Sequence, residues 1–187
     1  MPINVTKTGS DHLNTLATRM KRGNRCAAAE LYDELLPKVY GFFLARTGRK
    51  EIAEDLSQNV FIKLIEGIGG FDPKKGRFTV WFWQMTRNLL IDHYRKKKDV
   101  PFSNFDDEAV EFLAVASTPD VDESLQYDRL KGFVATLASH ERDLFELRYV
   151  ADMPFKDIAA VLSRSEGSLR IAALRVKEKI KKEFQYA

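Results

Sequence analysis

The stretch from Phe78 to Lys98 constrains the chain most, because it gathers aromatic, amide and cationic residues into one predicted helix. Helical spacing sorts its side chains onto three faces, whereas an ordinary core helix has one apolar stripe. Two faces are apolar: Phe82, Met85 and Leu89 form one, and Trp83, Leu90 and Tyr94 form the other. The third face carries Trp81, Gln84, Asn88, Asp92 and Arg95. Flat rings, amides and cations together suit a nucleic-acid strand with exposed bases.

The same aromatic pattern is also typical of a buried core, and the Arg95–Lys98 run is also typical of a solvated helix end. The charge distribution favours contact with nucleic acid. Residues 74–98 carry eight Lys/Arg and one acid, whereas residues 99–128 carry nine acids and no Lys or Arg. Residues 164–182 again carry seven Lys/Arg against two Glu. Two separated basic segments are expected of a protein that contacts nucleic acid at two places.

Composition excludes several classes of protein. The chain has 187 residues, 44% of them hydrophobic, which is enough for a packed core. No apolar run approaches the roughly 20 residues of a membrane span, and no signal-peptide pattern opens the sequence. The single cysteine, Cys26, cannot form an internal disulfide, and we expect it to be buried or half-buried. We therefore predict a cytoplasmic protein without membrane insertion.

The sequence does not indicate an enzyme. Its three histidines, His12, His93 and His140, are scattered, and no metal-ligand motif, Gly-rich phosphate loop or nucleophile motif is present. We predict no catalytic residue, no metal and no cofactor, and we expect each histidine to lie at a helix surface.

The periodicity predicts an all-α chain: two small helical domains joined by a flexible acidic linker. Residues 1–24 are a polar lead-in with a short helix near 12–22, residues 25–98 the first domain, 99–123 the linker and 124–187 the second domain. The predicted helices span 25–46, 51–66, 79–97, a segment from about 124, 140–150, 154–163 and 166–184. Pro37 should kink or interrupt the first of these, and glycines force a loop over 67–77. Ser139 and Ser165 are predicted N-caps.

The last two predicted helices have the pattern of a helix-turn-helix. Leu169, Ala173, Val176 and Ile180 give the final helix an apolar seam, and Ile158, Ala159 and Leu162 give its predecessor a small inner face. The basic face of the final helix could enter a DNA major groove with its N-terminal residues near the base edges. A plain helical hairpin with a solvated basic face is the alternative.

Three ordered motifs over residues 25–184 resemble those of the extracytoplasmic-function sigma factors of bacterial RNA polymerase. The first is Ala53-Glu-Asp-Leu-Ser-Gln-Asn-Val-Phe61. The second is Trp81, Thr86-Arg-Asn88 and Asp92, followed by basic residues. The third combines Arg142, Leu147-Arg-Tyr149, Ile158-Ala159 and Ser165-Glu-Gly-Ser-Leu169. Each motif alone is weak, but their order across an acidic linker is specific.

The resemblance implies a factor that binds core RNA polymerase at its clamp helices, recognises promoter minus-ten and minus-thirty-five elements, and promotes DNA melting. Polymerase contacts would come from Glu54, Asp55, Gln58 and Phe61. Minus-ten contacts would come from Lys74, Lys75, Arg77, Trp81, Gln84, Arg87, Asn88, Arg95, Lys96 and Lys97. Minus-thirty-five contacts would come from Arg148, Arg164, Ser165, Glu166, Ser168, Arg170, Arg175 and Lys177. An anti-sigma factor or another regulator is a further expected partner.

The chain departs from the family pattern in two places. Asn59 stands where many members have an acid, and Arg170-Ile-Ala172 replaces a Lys-Ser-Arg that would add a phosphate contact. The acids of the 51–66 helix are also ordinary first-turn acids, and the acidic linker is also an ordinary soluble spacer. A stand-alone helix-turn-helix regulator that binds duplex DNA without polymerase is the alternative function, although it would have no need for exposed rings beside cations.

Overall fold

The computed structural model describes residues 8–98, 132–134 and 136–185. Within these ranges the chain forms helices and turns and no strand, which confirms the predicted all-α class. The acidic linker predicted over 99–123 and the start of the helix predicted from residue 124 lie outside the described residues.

Four helices form the N-terminal unit: α1 (Thr8–Lys21), α2 (Arg25–Thr47), α3 (Lys50–Gly67) and α4 (Phe78–Lys98). A 3₁₀ turn at Ile68–Gly70 follows α3. The amide of Ala27 donates to the Oδ1 of Asn24 over 2.9 Å, which caps the start of α2. Gly48 ends α2 in the left-handed region at φ 62°, where a glycine is favoured.

Three helices dominate the C-terminal unit, which comprises residues 132–134 and 136–185. They are α5 (Ser139–Phe145), which continues into a π-helical turn at Glu146–Val150, α6 (Phe155–Leu162) and α7 (Glu166–Gln185). The Oγ of Ser165 accepts the amide of Ser168 at 3.3 Å, so the predicted cap of α7 is confirmed. The predicted cap at Ser139 is wrong by one residue, because Ala138 occupies the N-cap position.

Three expectations about the first 47 residues need correction. The predicted lead-in is an integral part of the N-terminal unit, because Leu13, Leu16 and Ala17 of α1 are buried in its core. Helix α2 runs through Pro37 without interruption. Cys26 is exposed rather than buried, since it lies in the first turn of α2.

Helix α4 packs against α1, α3 and α6. Its two predicted apolar faces are confirmed in part: Phe82, Trp83 and Leu90 are at most 3% exposed, whereas Met85, Leu89 and Tyr94 are half-buried. The core around α4 continues into the C-terminal unit, where Leu144, Leu147, Met153, Ile158 and Leu169 join the same buried cluster. The two units therefore pack against each other through a shared core, a contact that the sequence did not predict. A smaller cluster around Val176 includes Phe133, Val134 and Leu137.

Candidate nucleic-acid interface

A surface groove of about 450 Å³ lies between α3 and α4. Its lining residues are Lys63, Trp81, Gln84, Met85, Asn88, Leu89 and Asp92. Four of the five residues on the predicted third face of α4 therefore meet in one concave surface. The groove offers a flat ring, two amides, a carboxylate and an ammonium group around an apolar floor, a combination that can hold a planar heterocycle by stacking and hydrogen bonding.

The residues around the groove are held in place by packing. The ring of Trp81 is half-buried, with its centroid 5.6 Å from that of Phe71 and 5.9 Å from that of Phe78. A Cβ at Gly67 would lie 3.5 Å from Cζ2 of Trp81, so the end of α3 also supports the ring. The amide of Phe78 donates to Oδ1 of Asn14 at 2.7 Å, which ties the start of α4 to α1. The exposed side chain of Asn88 thus projects from a helix fixed on several sides.

Three residues of this groove were not predicted to belong to it. Lys63 comes from α3, and the periodicity of α3 alone indicates only that it is exposed. Met85 and Leu89 were assigned to an apolar core face, but both are half-buried and form the floor of the groove. The pairing of α3 with α4, which the sequence does not specify, decides these three positions.

The cations predicted to contact the minus-ten DNA differ in their surroundings. Lys74, Lys75, Arg95 and Lys96 are exposed, whereas the side chain of Lys97 lies outside the described residues. Arg77 and Arg87 are instead held by the C-terminal unit. The guanidinium of Arg77 lies 3.2 Å from Oδ1 of Asp157, and that of Arg87 lies 3.1 Å from Oδ2 of Asp143.

A buried ion-pair network accompanies these contacts. Arg46 of α2 binds Asp143 and, through its Nε at 2.5 Å, Oε2 of Glu146. The hydroxyl of Tyr94 donates to the carbonyl of Arg46 at 2.6 Å. Burial raises the pKa of Glu146 to about 7, and the attraction of Arg46 offsets only part of this effect. Burial lowers the pKa of Arg46, but the carboxylates of Glu146 and Asp143 outweigh it, so the net pKa is raised.

The second predicted DNA face lies on α7 and the turn before it. Arg164, Ser165, Arg175 and Lys177 are exposed, and Glu166 and Ser168 are half-buried. Arg170 is exposed but pairs with Glu166 through its Nη2 at 2.5 Å and lies 5.0 Å from the ring centre of Phe155. The first turn of α7 therefore carries an ion pair on its own surface.

Arg148, one of the predicted DNA contacts, is half-buried and already has partners within the C-terminal unit. Its guanidinium donates to the carbonyl of Met153 at 2.9 Å and lies 5.4 Å from the ring centre of Phe155. The side chain therefore braces the turn between α5 and α6. Arg142, part of the same motif, is 5% exposed and donates to the carbonyls of Val134 and Leu137, so it is structural as well.

The predicted polymerase-binding acids lie on another surface, between α2 and α3. Glu54, Asp55 and Gln58 are exposed there. A shallow groove of about 380 Å³ adjoins them, lined by Tyr32, Leu36, Pro37, Tyr40, Glu54, Ser57 and Gln58. Phe61 was predicted to contact polymerase, but it is 6% exposed and packs between Tyr32 and Phe82. Its ring therefore supports this surface from beneath.

No group of three or more His, Cys, Asp or Glu in the described residues could hold a metal ion. A search of the same residues finds no helix long and apolar enough to cross a membrane.

Comparison with known proteins assigns the chain to a family. The family "Sigma-70 region 2" matches residues 31–100, and "Sigma-70, region 4" matches residues 127–180. The ECF RNA polymerase sigma factor SigM of Bacillus subtilis is 28% identical over 81% of this chain and 91% of its own length. BldN of Streptomyces coelicolor is 27% identical over 89% of this chain, which spans 63% of that relative. Among solved structures, CnrH in complex with the cytosolic domain of CnrY has the same fold (TM-score 0.70, 19% identity, 94% and 99% coverage).

Together these matches show that the chain belongs to the sigma-70 family of RNA polymerase sigma factors, in its extracytoplasmic-function group. The resemblance read from the three motifs is thereby confirmed. The stand-alone regulator is not supported, because the region 2 match covers most of α2 together with α3 and α4, in addition to the region 4 match over the helix-turn-helix. Sigma factors as a family are not enzymes.

Proposed function

We propose that this sigma factor binds core RNA polymerase, recognises promoter minus-ten and minus-thirty-five elements, and stabilises the melted minus-ten strand. The observation that carries the proposal is the α3–α4 groove, which brings Trp81, Gln84 and Asn88 together beside Lys63. A base that leaves the duplex stack loses a few kcal/mol, and a pocket with stacking and amide contacts can offset that loss.

The phosphates of the same strand would be held by cations at the two ends of α4. Lys74 and Lys75 lie in the loop before the helix, and Arg95 and Lys96 lie in its last turns; all four are exposed. Arg77 and Arg87 already pair with Asp157 and Asp143, so these carboxylates would weaken their attraction for phosphate. Binding through these groups should weaken steeply with salt, because each neutralised phosphate releases counterions.

The minus-thirty-five element would be read by α7 in the major groove. The N-terminal turn of α7 would approach the base edges through Ser165, Glu166 and Ser168. Arg164, Arg170, Arg175 and Lys177 would contact phosphates or bases along the same face. Because Ile171 and Ala172 stand where the family pattern has Ser and Arg, this face has one cation fewer. Arg175 is an exposed basic residue about one helical turn further along.

Polymerase would dock on the α2–α3 surface through Glu54, Asp55 and Gln58. Asp55→Arg should reduce affinity for core polymerase about tenfold, because it places a cation where a basic partner would bind. Unchanged co-purification of the variant with core polymerase would remove Asp55 from the docking surface.

We also propose a cytoplasmic location and regulation by an anti-sigma factor. A sigma factor RpoE was solved with the anti-sigma factor NepR from Bartonella quintana, and that protein resembles this chain with a TM-score of 0.66 at 19% identity. Co-purification from the native host would reveal such a partner.

The test of base capture is permanganate footprinting of a promoter bound by holoenzyme. Asn88→Ala should lower the reactivity of unpaired thymines about tenfold while core polymerase binding is unchanged. Glu66→Ala, an exposed change on α3 outside the groove lining, is the control. Trp81→Ala should act in the same direction but also removes packing against Phe71 and Phe78, so its folding must be checked by circular dichroism. Equal loss of melting and polymerase binding in Asn88→Ala would refute the assignment.

A further inference from the structure

Helix α7 carries a pair of exposed apolar side chains on its outward face. Ile171 is 55% exposed and Leu174 is 62% exposed. Residues three apart on a helix are neighbours, with about 5–6 Å between their Cβ atoms. A single exposed leucine is ordinary in a folded protein, whereas this adjacent pair forms a small continuous apolar surface.

The apolar pair does not belong to the core of the C-terminal unit. Helix α7 packs against α5 and α6, and the buried residues of its inner face are Leu169, Ala173 and Val176. Successive residues of a helix are turned by about 100°, so Ile171 and Leu174 are directed away from that inner face. Both side chains are therefore available to a partner that approaches α7 from outside the unit.

Exposed cations flank the apolar pair on both sides when α7 is viewed along its axis. They are Arg175 and Lys182 on one side and Lys177 and Lys181 on the other. Glu178 lies one turn beyond the pair, so the apolar surface ends there. A DNA major groove is about 12 Å wide, with base edges between two phosphate backbones, and it matches an apolar centre between two rows of cations.

The hydrogen-bonding side chains in the first turn of α7 already have partners. The hydroxyl of Ser168 donates to the carbonyl of Ser165 at 2.9 Å, and the Oγ of Ser165 accepts the amide of Ser168. Arg170 pairs with Glu166 through its Nη2 at 2.5 Å and lies 5.0 Å from the ring centre of Phe155. A base edge that binds these groups must compete with the partners they have, whereas an apolar contact faces no such competition.

We propose that Ile171 and Leu174 read the minus-thirty-five element through the C5 methyl groups of thymines. Thymine presents a methyl group in the major groove, and apolar side chains contact it. The two residues are about 4.5 Å apart along the helix axis, and base pairs stack about 3.4 Å apart, so the methyl groups would belong to neighbouring base pairs. The inference rests on the proposed role of α7 and adds the base chemistry that this chain selects.

The test removes these methyl groups and leaves the rest of the DNA unchanged. Wild-type holoenzyme first selects duplexes from a randomised library, and each thymine of the selected minus-thirty-five element is then replaced by deoxyuridine. At two neighbouring base pairs the replacement should weaken binding about threefold to fivefold. This ratio should stay constant as salt is varied, because no phosphate contact is altered.

Variants of the two residues assign the effect. Ile171→Gln and Leu174→Gln exchange the terminal methyl groups for an amide and keep a residue of good helix propensity. Each should lose the deoxyuridine effect at one position, whereas Ile171→Val should retain most of it. Ile65→Gln is the matched control, because Ile65 is 65% exposed on α3 of the other unit. Its ratio of thymine to deoxyuridine binding should equal that of wild type.

The possible outcomes separate this inference from the proposed function. A selected element without thymine, or one whose deoxyuridine forms bind as tightly, would overturn the inference and leave the proposed function standing. An unaltered deoxyuridine effect in both Gln variants would overturn it as well, and a simultaneous loss of core polymerase affinity would assign the pair to a protein contact. Failure of wild-type holoenzyme to select any duplex would contradict the proposed function and, with it, this inference.

Discussion

The groove face of α4 and the basic face of α7 look alike in sequence, yet they differ in what lies against them. Both combine Lys and Arg with hydrogen-bonding side chains on one side of a helix. Beside the groove, Arg77 and Arg87 are already bound by acids of the other unit. On α7, Arg175 and Lys177 are exposed. A basic helix face therefore does not by itself show which of its cations are ready to bind a phosphate.

The two faces differ because the C-terminal unit packs beside the groove and brings acids from distant parts of the sequence to its arginines. The acids that bind the groove-side arginines lie 56 residues from Arg87 and 80 residues from Arg77. On α7 the predicted contact residue Arg170 pairs with Glu166, an acid only four residues away. The surroundings of the groove-side arginines therefore depend on how the two units pack, because their acids come from the other unit. The Arg170–Glu166 pair on α7 is local and does not depend on that packing.

The largest expected effect comes from removing Arg46, whose ion pairs with Asp143 and Glu146 join the two units. Arg46→Ala leaves Glu146, which is fully buried, without its cation, and should lower the free energy of unfolding by about 3–5 kcal/mol. Urea denaturation followed by circular dichroism measures the change. Arg49→Ala, an exposed neighbour, should have little effect.

Adding Glu146→Gln to Arg46→Ala should restore much of that loss, because the uncompensated buried charge is then absent. Equal stability of Arg46→Ala and Arg49→Ala would show that the network contributes little to holding the units together.

A smaller effect should follow from pH. The pKa of Glu146 is raised from 4.5 to about 7, so the folded form favours the protonated carboxyl. This group therefore stabilises the folded chain fully at pH values below its ordinary pKa of 4.5, and the stabilisation is lost as the pH rises through about 7. The groups that face Glu146 are Arg46 of α2, Tyr94 of α4, and Arg142 and Asp143 of α5.

Between pH 6 and pH 8 the free energy of unfolding should therefore fall by roughly 1–2 kcal/mol. Glu146→Gln cannot ionise and should flatten that part of the profile, which denaturation at several pH values would reveal. A profile that rises over this range in wild type would contradict the assigned direction of the shift.

The smallest effect sharpens the comparison between single cations of the two faces. Arg175→Ala should reduce the salt dependence of duplex binding by about one unit of slope in a log–log plot.

Arg77→Ala should change the salt dependence of oligothymidylate binding less in the wild-type background than in Asp157→Asn, because Asp157 already pairs with Arg77 in the wild-type chain. Equal changes in both backgrounds would argue that Asp157 does not compete with DNA.

Much of the fold could be predicted because its signals are local. Helical spacing placed Phe82 and Trp83 in the core, and a serine before a periodic segment identified the cap at Ser165. The third face of α4 was also predicted correctly as a surface that gathers Trp81 and Asn88, since all its members belong to one helix.

The remaining features depend on tertiary partners. Phe61 satisfies a family motif, yet its ring is buried between Tyr32 and Phe82. Arg148 lies in a motif of the DNA-reading region, but a carbonyl and a ring five to seven residues away engage it. Periodicity reports which face of a helix is apolar but not which distant element covers that face, so the shared core and the acids at its edge were not predicted.

The most direct test of the account is transcription in vitro from a genomic library, using the purified chain and core polymerase without other factors. We predict discrete start sites, each preceded by a shared minus-ten and a shared minus-thirty-five element. Initiation at these sites should be lost in Asn88→Ala although that variant still binds core polymerase. Failure of the wild-type chain to direct initiation at any site, or full activity of Asn88→Ala at every site, would contradict it.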